Sequence, residues 1–309
     1  MDKLIVSPSP HIRSSMTTTK VMGHVLIALM PAVIAATVIF GGRALMLIGF
    51  CTATAIIWER LIRIIMKKSD TTGDLSAAVT GLIFALNLPS TLPFWMAAIG
   101  TFFAIVVVKQ LFGGLGSNFA NPAIVGRIVL FVSFPSAMTN WVQEFTGDAT
   151  ATATPLVSKS AEYADLFLGT TKGCLGETCA FALVIGGLYL ILMKIITPST
   201  PVAFIGTVAL FSWLAGEDPL YQILSGGLIL GAFFMATDYV TTPITQTGKV
   251  IFGIGCGIIT CVIRFYGSYP EGVSFSILIM NIITPYIDML TGTRPIGAKK
   301  AEKKAKEAA

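Results

Sequence analysis

Asp148 to Leu156 reads Asp-Ala-Thr-Ala-Thr-Ala-Thr-Pro-Leu, small residues interleaved with three threonines. Small side chains let a bulky ligand approach the main chain, and each threonine offers a hydroxyl that can be esterified. That hydroxyl is a poor nucleophile until a base or metal activates it, and the run holds no self-contained catalytic triad. Asp148 also suits an ordinary turn or cap. Ionisable residues inside a membrane are candidates for function by default. Here these are Asp238, at the inner end of an apolar run, and Asp74, which precedes another. Asp238 suits a helix cap equally well. Lys109 and Arg127 flank a glycine-rich stretch and are expected to snorkel to the cytoplasmic surface. The only histidines, His11 and His24, lie near the N-terminus, and the five cysteines follow no metal-ligand pattern. Cys256 and Cys261 face different directions on one helix. Cys174 and Cys179 are either free or a disulfide in an oxidising compartment. With no haem or iron–sulfur ligand set, an electron passing through this chain needs an organic carrier.

The elements that must position these groups are membrane helices. The 309 residues are 54% hydrophobic and only 12% charged, with a mean hydropathy of +0.79. Soluble domains carry about a quarter charged residues. A spanning helix needs roughly 20 mainly apolar residues. Eight runs approach that: 21–40, 44–66, 94–112, 178–196, 202–215, 220–236, 250–265 and 273–290. Two shorter runs, 75–88 and 122–134, are flanked by Gly, Pro and Asn. Together they predict an all-α polytopic membrane protein with about ten transmembrane segments. With the N-terminus in the cytoplasm, most of the 21 lysines and arginines fall inside. Only Arg43, Lys159, Lys172 and Arg264 fall outside, as the positive-inside rule requires. Dropping one segment would put the basic C-terminal tail on the wrong side.

This divides the chain into a cytoplasmic N-terminal segment (1–20), a first membrane repeat (21–134), an extracytoplasmic loop (135–177), a second membrane repeat (178–290) and a basic cytoplasmic tail (291–309). The loop carries Glu144, Asp148, Glu162, Asp165 and Glu177, which suits an outer face. The first twenty residues lack a signal-peptide core, so the first helix serves as an uncleaved anchor. The net charge of +5 resides mostly in Lys299–Lys306. That end suits anionic lipid headgroups and implies no nucleic-acid binding. Trp58, Trp95, Trp141 and Trp213 are expected to anchor at the interface.

The two membrane parts repeat weakly. Thr80-Gly81-Leu82-Ile83 parallels Ser225-Gly226-Gly227-Leu228-Ile229. Five segments taken twice give opposite orientations, hence two inverted repeats. Such folds carry broken or half helices near the midplane at the repeat interface. Gly113-Gly114-Leu115-Gly116-Ser117-Asn118, leading into Asn121-Pro122, marks one break. Freed backbone groups there need protein or water partners, and Asn118 and Asn121 can supply some of them.

Three motifs resemble one family. Gly113–Pro122, continuing through Val125-Gly126-Arg127, resembles the Gly-Gly-Leu-Gly-x-Asn-x-x-Asn-Pro-Ala segment of the D subunit of the Rnf electron-transport complex. The same segment occurs in the B subunit of the sodium-pumping NADH:quinone reductase. Ala236-Thr237-Asp238-Tyr239-Val240-Thr241-Thr242-Pro243 resembles their Ala-Thr-Asp-x-x-Thr-x-Pro segment. The Asp148–Leu156 run resembles their flavin-attachment motif, matching at Asp148, Ala153, Thr154 and Leu156. Ala149, Ala151 and Thr152 depart from it. The likeness covers most of the chain from the first helix to Pro285, and a short leader favours the Rnf protein.

The resemblance implies that Thr154 carries covalent FMN through a phosphoester, with Thr150 and Thr152 as alternative sites. A separate flavin transferase would attach it. It also allows a noncovalent riboflavin, to which no residue is assigned. The flavin would be one stop in a relay from ferredoxin to NAD⁺, coupled to Na⁺ or H⁺ export. Partners would be the other membrane subunits, a second flavin subunit and the ferredoxin- and NAD-handling subunits, in a bacterial or archaeal cell membrane. Two other readings fit such a chain: a small-solute channel or transporter built on an inverted repeat, and the quinone reductase's own B subunit.

Overall fold

A computed structural model describes residues 16–141, 156, 161–169, 171, 173–177, 179–267 and 272–292. Among these residues every regular element is a helix and no strand occurs. Asp148, Thr150, Thr152, Ala153 and Thr154 lie outside the described residues, as do most of the N-terminal segment and the basic tail.

Helix α1, Thr18–Ile65, starts where the Thr17 hydroxyl accepts the Lys20 backbone N–H. Its 48 residues correspond to about 72 Å of helix, more than twice a bilayer core, and its helical geometry fails at one point. There Gly41 adopts φ 72°, a conformation that only glycine enters freely. The break falls between the apolar runs 21–40 and 44–66. Just past it, the Arg43 guanidinium donates to the carbonyls of Ser90 and Thr91, both at 2.9 Å.

Helix α2, Ser76–Leu86, is short and ends at Asn87. Helix α3, Phe94–Phe102, continues as a π-helical stretch over Phe103–Gln110. Helix α4, Pro122–Ser133, opens on an Asn121 cap with proline in its first turn, which suits an unpaired N–H position. Short helices α5, Pro135–Met138, and α6, Tyr163–Leu168, follow. The second half contains α7, Ala180–Leu192; α8, Ser199–Leu214; and α9, Pro219–Leu224. Helix α10, Leu228–Leu230, runs into a second π-helical stretch, Gly231–Met235. Helices α11, Gln246–Tyr266, and α12, Val273–Thr291, complete the chain.

By length and composition, α1, α11 and α12 are long and apolar enough to cross a membrane. Five further apolar helices are shorter. The apolar run 220–236 lies on none of these eight; it is divided among α9, α10 and the second π-helical stretch. One buried cluster joins the two halves, from Ala28 and Leu29 of α1 through Phe84 and Ile124 to Phe204, Phe252 and Ile277. Helix α1 packs closely on α2 and α7, and α8 packs closely on α11.

The α1–α2 crossing depends on Gly81. A Cβ there would lie 2.8 Å from both the Ala55 Cβ and the Cys51 carbonyl oxygen. Gly81→Val should therefore cost about 1–3 kcal/mol through overpacking and lower the melting temperature of the purified protein. Gly49→Ala, where no atom lies within 4 Å of the new methyl, should leave it unchanged.

Candidate functional site

Helix α2 stops inside the protein, so its last carbonyls need donors that water does not supply. The segment just before α7 provides them. Gly176 N–H donates to the Leu86 carbonyl at 2.7 Å and Leu175 N–H to Leu88 at 3.0 Å. The Cys174 thiol donates to the Asn87 carbonyl at 3.3 Å. Arg127 of α4 reaches the same point. Its guanidinium donates to the Asn87 side-chain oxygen (3.3 Å), the Ser274 hydroxyl (2.8 Å) and Glu177 (3.3 Å). Arg127 and Glu177 are both almost fully buried. An arginine beside the C-terminal end of α2 also opposes the negative pole of that helix.

The second break is held from the other half. Asn121, the cap of α4, donates its side-chain amide to the Met235 carbonyl at 3.2 Å, where the π-helical stretch ends. With its amide oriented to satisfy both neighbours, Asn281 of α12 donates to the Thr241 carbonyl and accepts from the Asn121 backbone N–H, each at 3.1 Å. The Thr284 hydroxyl adds a bond to the same Thr241 carbonyl at 2.9 Å.

A second buried ion pair joins α1 to the end of the first π-helical stretch. Lys109 Nζ lies 3.1 Å from both Glu59 carboxylate oxygens. Gln110 (2.7 Å) and Thr71 (2.9 Å) also donate to Glu59. Glu59 is wholly buried and Lys109 nearly so. Among the described residues these are the two ion pairs, and both satisfy the rule that intramembrane charges are paired.

A cavity lies between the halves. Its lining includes the polar side chains of Ser76, Lys109, Asn118, Asn121 and Asp238 and the aromatic rings of Phe233, Phe234 and Tyr239. Aliphatic residues of α1, α2 and α7 close the remainder. Apolar walls with a few convergent polar groups are the usual composition of a small-molecule site. Amide and carboxylate groups together with aromatic rings in one lining suit a planar ring that carries carbonyl and N–H groups at its edge.

Several expectations need correction. Lys109 and Arg127 do not snorkel: each is buried and bound to a carboxylate from a distant segment. Arg127 meets Glu177, a residue of the expected outer loop. Trp141 is buried and anchors no interface, whereas Trp95 and Trp213 are exposed. Of the two states open to Cys174 and Cys179, the structure has the one without a disulfide. Asp238 acts as a local cap, its carboxylate accepting from the Thr241 hydroxyl and its carbonyl from Thr242, and it also lines the cavity. Asp74 caps the start of α2 by accepting the Ser76 backbone N–H at 2.8 Å. Leu156 is the one residue of the proposed attachment set that is described. Its Cδ1 lies where a Cβ on Gly226 would come within 2.8 Å of it, next to Arg264. Sequence reasoning gives no role to Glu59 or Asn87. Glu59 stands one residue before Arg60 and four before Arg63, so it passes for half of a surface pair.

Comparison with known proteins settles the family. The model described as "NQR2, RnfD, RnfE family" matches residues 5–297. The chain belongs to this family. It is 47% identical to the D subunit of the Na⁺-translocating ferredoxin:NAD⁺ oxidoreductase complex of Acetobacterium woodii, over 98% of each chain. It is 42% identical to the D subunit of the proton-translocating ferredoxin:NAD⁺ oxidoreductase complex of Clostridium ljungdahlii, over 96% of each. Identity to the D subunit of the ion-translocating oxidoreductase complex of Alcanivorax borkumensis is 36%, over 97% of this chain and 98% of that one. The first two names carry different ions, so family membership leaves the ion open.

Removing one partner of a buried pair strands the other charge, at about 3–5 kcal/mol. Arg127→Met should thus sharply reduce the folded yield and melting temperature. The double variant Arg127→Met/Glu177→Met should recover part of that loss, as a double-mutant cycle on the purified protein would measure.

Proposed function

We propose that this chain is the D subunit of an ion-translocating ferredoxin:NAD⁺ oxidoreductase complex, acting as a flavin-bearing membrane protein. The observation that carries this reading is near-full-length identity to proteins of that name. The same observation favours the ferredoxin complex over the related quinone reductase. Its partners are then the other subunits of the complex and the membrane lipid around it. The basic face bearing Lys67 and Lys68 is cytoplasmic, both termini lie on that side, and the ten apolar runs form two inverted five-segment repeats.

Thr154 carries FMN through a phosphoester, installed by a separate transferase that reads Asp148, Ala153 and Leu156. Leu156 against Gly226 supports this reading, because it holds the end of the motif on the second broken helix. The inter-half cavity takes the ring of a second, noncovalent flavin such as riboflavin. Asn118, Asn121 and Asp238 would meet the polar edge of that ring, Phe233 and Phe234 would flank it, and Lys109 would lend positive charge. A bound flavin supplies one- and two-electron transfer. The chain supplies position, exclusion of water and fixed charge, and electron passage is coupled to export of Na⁺ or H⁺.

Peptide mass spectrometry tests the attachment. The peptide containing Thr154 should gain roughly 440 Da, the mass of FMN less water from flavin chemistry. Thr154→Val should lose that mass and the in-gel fluorescence while the complex still assembles. Thr150→Val and Thr152→Val should keep both. An unmodified peptide from a host with an active flavin transferase would shift the reading to a channel or transporter. Gly226→Val, which intrudes on Leu156, should lower the flavinylated fraction.

A further inference from the structure

We propose that the basic end of α1 and the glycine-rich turn after Gln110 form a binding site for an anionic phospholipid, with Arg63 holding its phosphate. Arg63 is buried, only 9% exposed, and a guanidinium keeps its charge in a protein. Among the described residues it belongs to neither ion pair, and its Nε is buried without an acceptor. Glu59, one helical turn earlier, has the spacing of a partner. Its carboxylate is already taken by Lys109, Gln110 and Thr71, and Lys109 balances its charge. Asp70 is exposed and accepts from the Thr72 backbone N–H and hydroxyl. Those bonds hold its carboxyl below the usual range first, and Arg60 and Arg63 only after them. A buried cation without a counter-charge is costly, and an anion seated on it removes that cost.

The fold makes room for this guanidinium. Gly114 is buried at φ 99°, and a Cβ there would lie 2.6 Å from Arg63 Nη2. Gln110 Oε1, 3.7 Å from the same point, also lacks a partner. A hydrogen bond between Arg63 and Gln110 would satisfy both atoms and still leave the charge uncompensated.

The surroundings give the ligand its class. Arg60, Lys67 and Lys68 share this end of α1 and are exposed, which adds positive potential around Arg63. Ile64 and Ile65 beside Arg63, and Leu111, Phe112 and Leu115 beside Gly114, are exposed as well. A phosphate-binding charge bordered by apolar side chains open to the bilayer is the chemistry of an amphiphile. Basic pockets between helices at a membrane surface hold acidic headgroups in this way. A soluble phosphate would make no use of the apolar border.

The test measures lipid retained in detergent by the purified complex and by the purified full-length chain. The probes are dioleoylphosphatidylglycerol and dioleoylphosphatidylcholine, at about 0.15 M and about 0.5 M NaCl, since salt screens exposed charges far more than buried ones. Phosphatidylglycerol should be held in preference to phosphatidylcholine at both salt strengths. Arg63→Gln should weaken that retention by about fivefold, the worth of one basic residue at an acidic lipid. Arg63→Lys should keep the headgroup preference, and Lys68→Gln should matter only at the lower salt. Wild-type retention in Arg63→Gln, or equal retention of the two lipids, would overturn the site. Displacement of phosphatidylglycerol by inorganic phosphate would overturn the lipid in favour of a soluble anion. Retention by the chain alone and not by the complex would do so in favour of a carboxylate from another subunit. Should Arg63→Gln not fold, a photoreactive phosphatidylglycerol on the wild-type complex decides. Label concentrated on residues 61–66 and 111–117 supports the site, and label spread evenly over the apolar helices overturns it.

Discussion

Ending a helix inside a membrane protein exposes carbonyls that have no water to bind, and this structure answers that constraint twice. Each unpaired carbonyl in a low-dielectric interior costs several kcal/mol unless a donor reaches it. The end of α2 is closed by backbone N–H groups of Leu175 and Gly176 and by Arg127 acting through Asn87. The end of the second π-helical stretch is closed by Asn121, with Asn281 and Thr284 holding the turn beyond it. Some of these contacts cross between the halves: Asn121 donates to the Met235 carbonyl and Arg127 to the Ser274 hydroxyl. The halves are thereby locked together by polar bonds as well as by the apolar cluster, and the space left between the broken ends is the cavity.

The two ion pairs follow from the same constraint. Arg127 is useful where it is because it serves a helix end, and that use places a charge in the interior. Glu177 then compensates it. Lys109 and Glu59 form an analogous pair near the basic face. A pair of this kind contributes little to net stability against an apolar replacement. Its presence therefore points to a role in chemistry or in specifying the fold. Lys109 lies on the wall of a cavity whose other polar groups are hydroxyls, amides and one carboxylate. The π-helical geometry around it, over Phe103–Gln110, is of a kind that recurs at functional sites.

Much of this architecture can be read from residue types. Apolar runs and their flanking Gly, Pro and Asn locate the helices, because length and hydropathy are local properties. Asn121-Pro122 announces a cap and a helix start, and the glycine-rich stretch announces a break. The ion pairs cannot be read in this way. Lys109 and Glu59 stand 50 residues apart, as do Arg127 and Glu177, and one sequence gives no sign of which distant carboxylate meets which cation. Lys109 and Arg127 therefore pass for snorkelling residues at helix ends, and Glu59 for a surface neighbour of Arg63. The threonine proposed for flavin attachment behaves in the opposite way. Thr154 is conspicuous as part of a motif, and it lies outside the described residues.

On this account the chain carries two flavins, one tethered and one held between its halves. The measurement that tests it most directly is acid denaturation of the purified protein, with flavin counted separately in precipitate and supernatant. The account predicts about one flavin per chain remaining with the polypeptide as FMN and about one released without a phosphate, in keeping with a flavin cofactor bound in two ways. A polypeptide and a supernatant both free of flavin would contradict it.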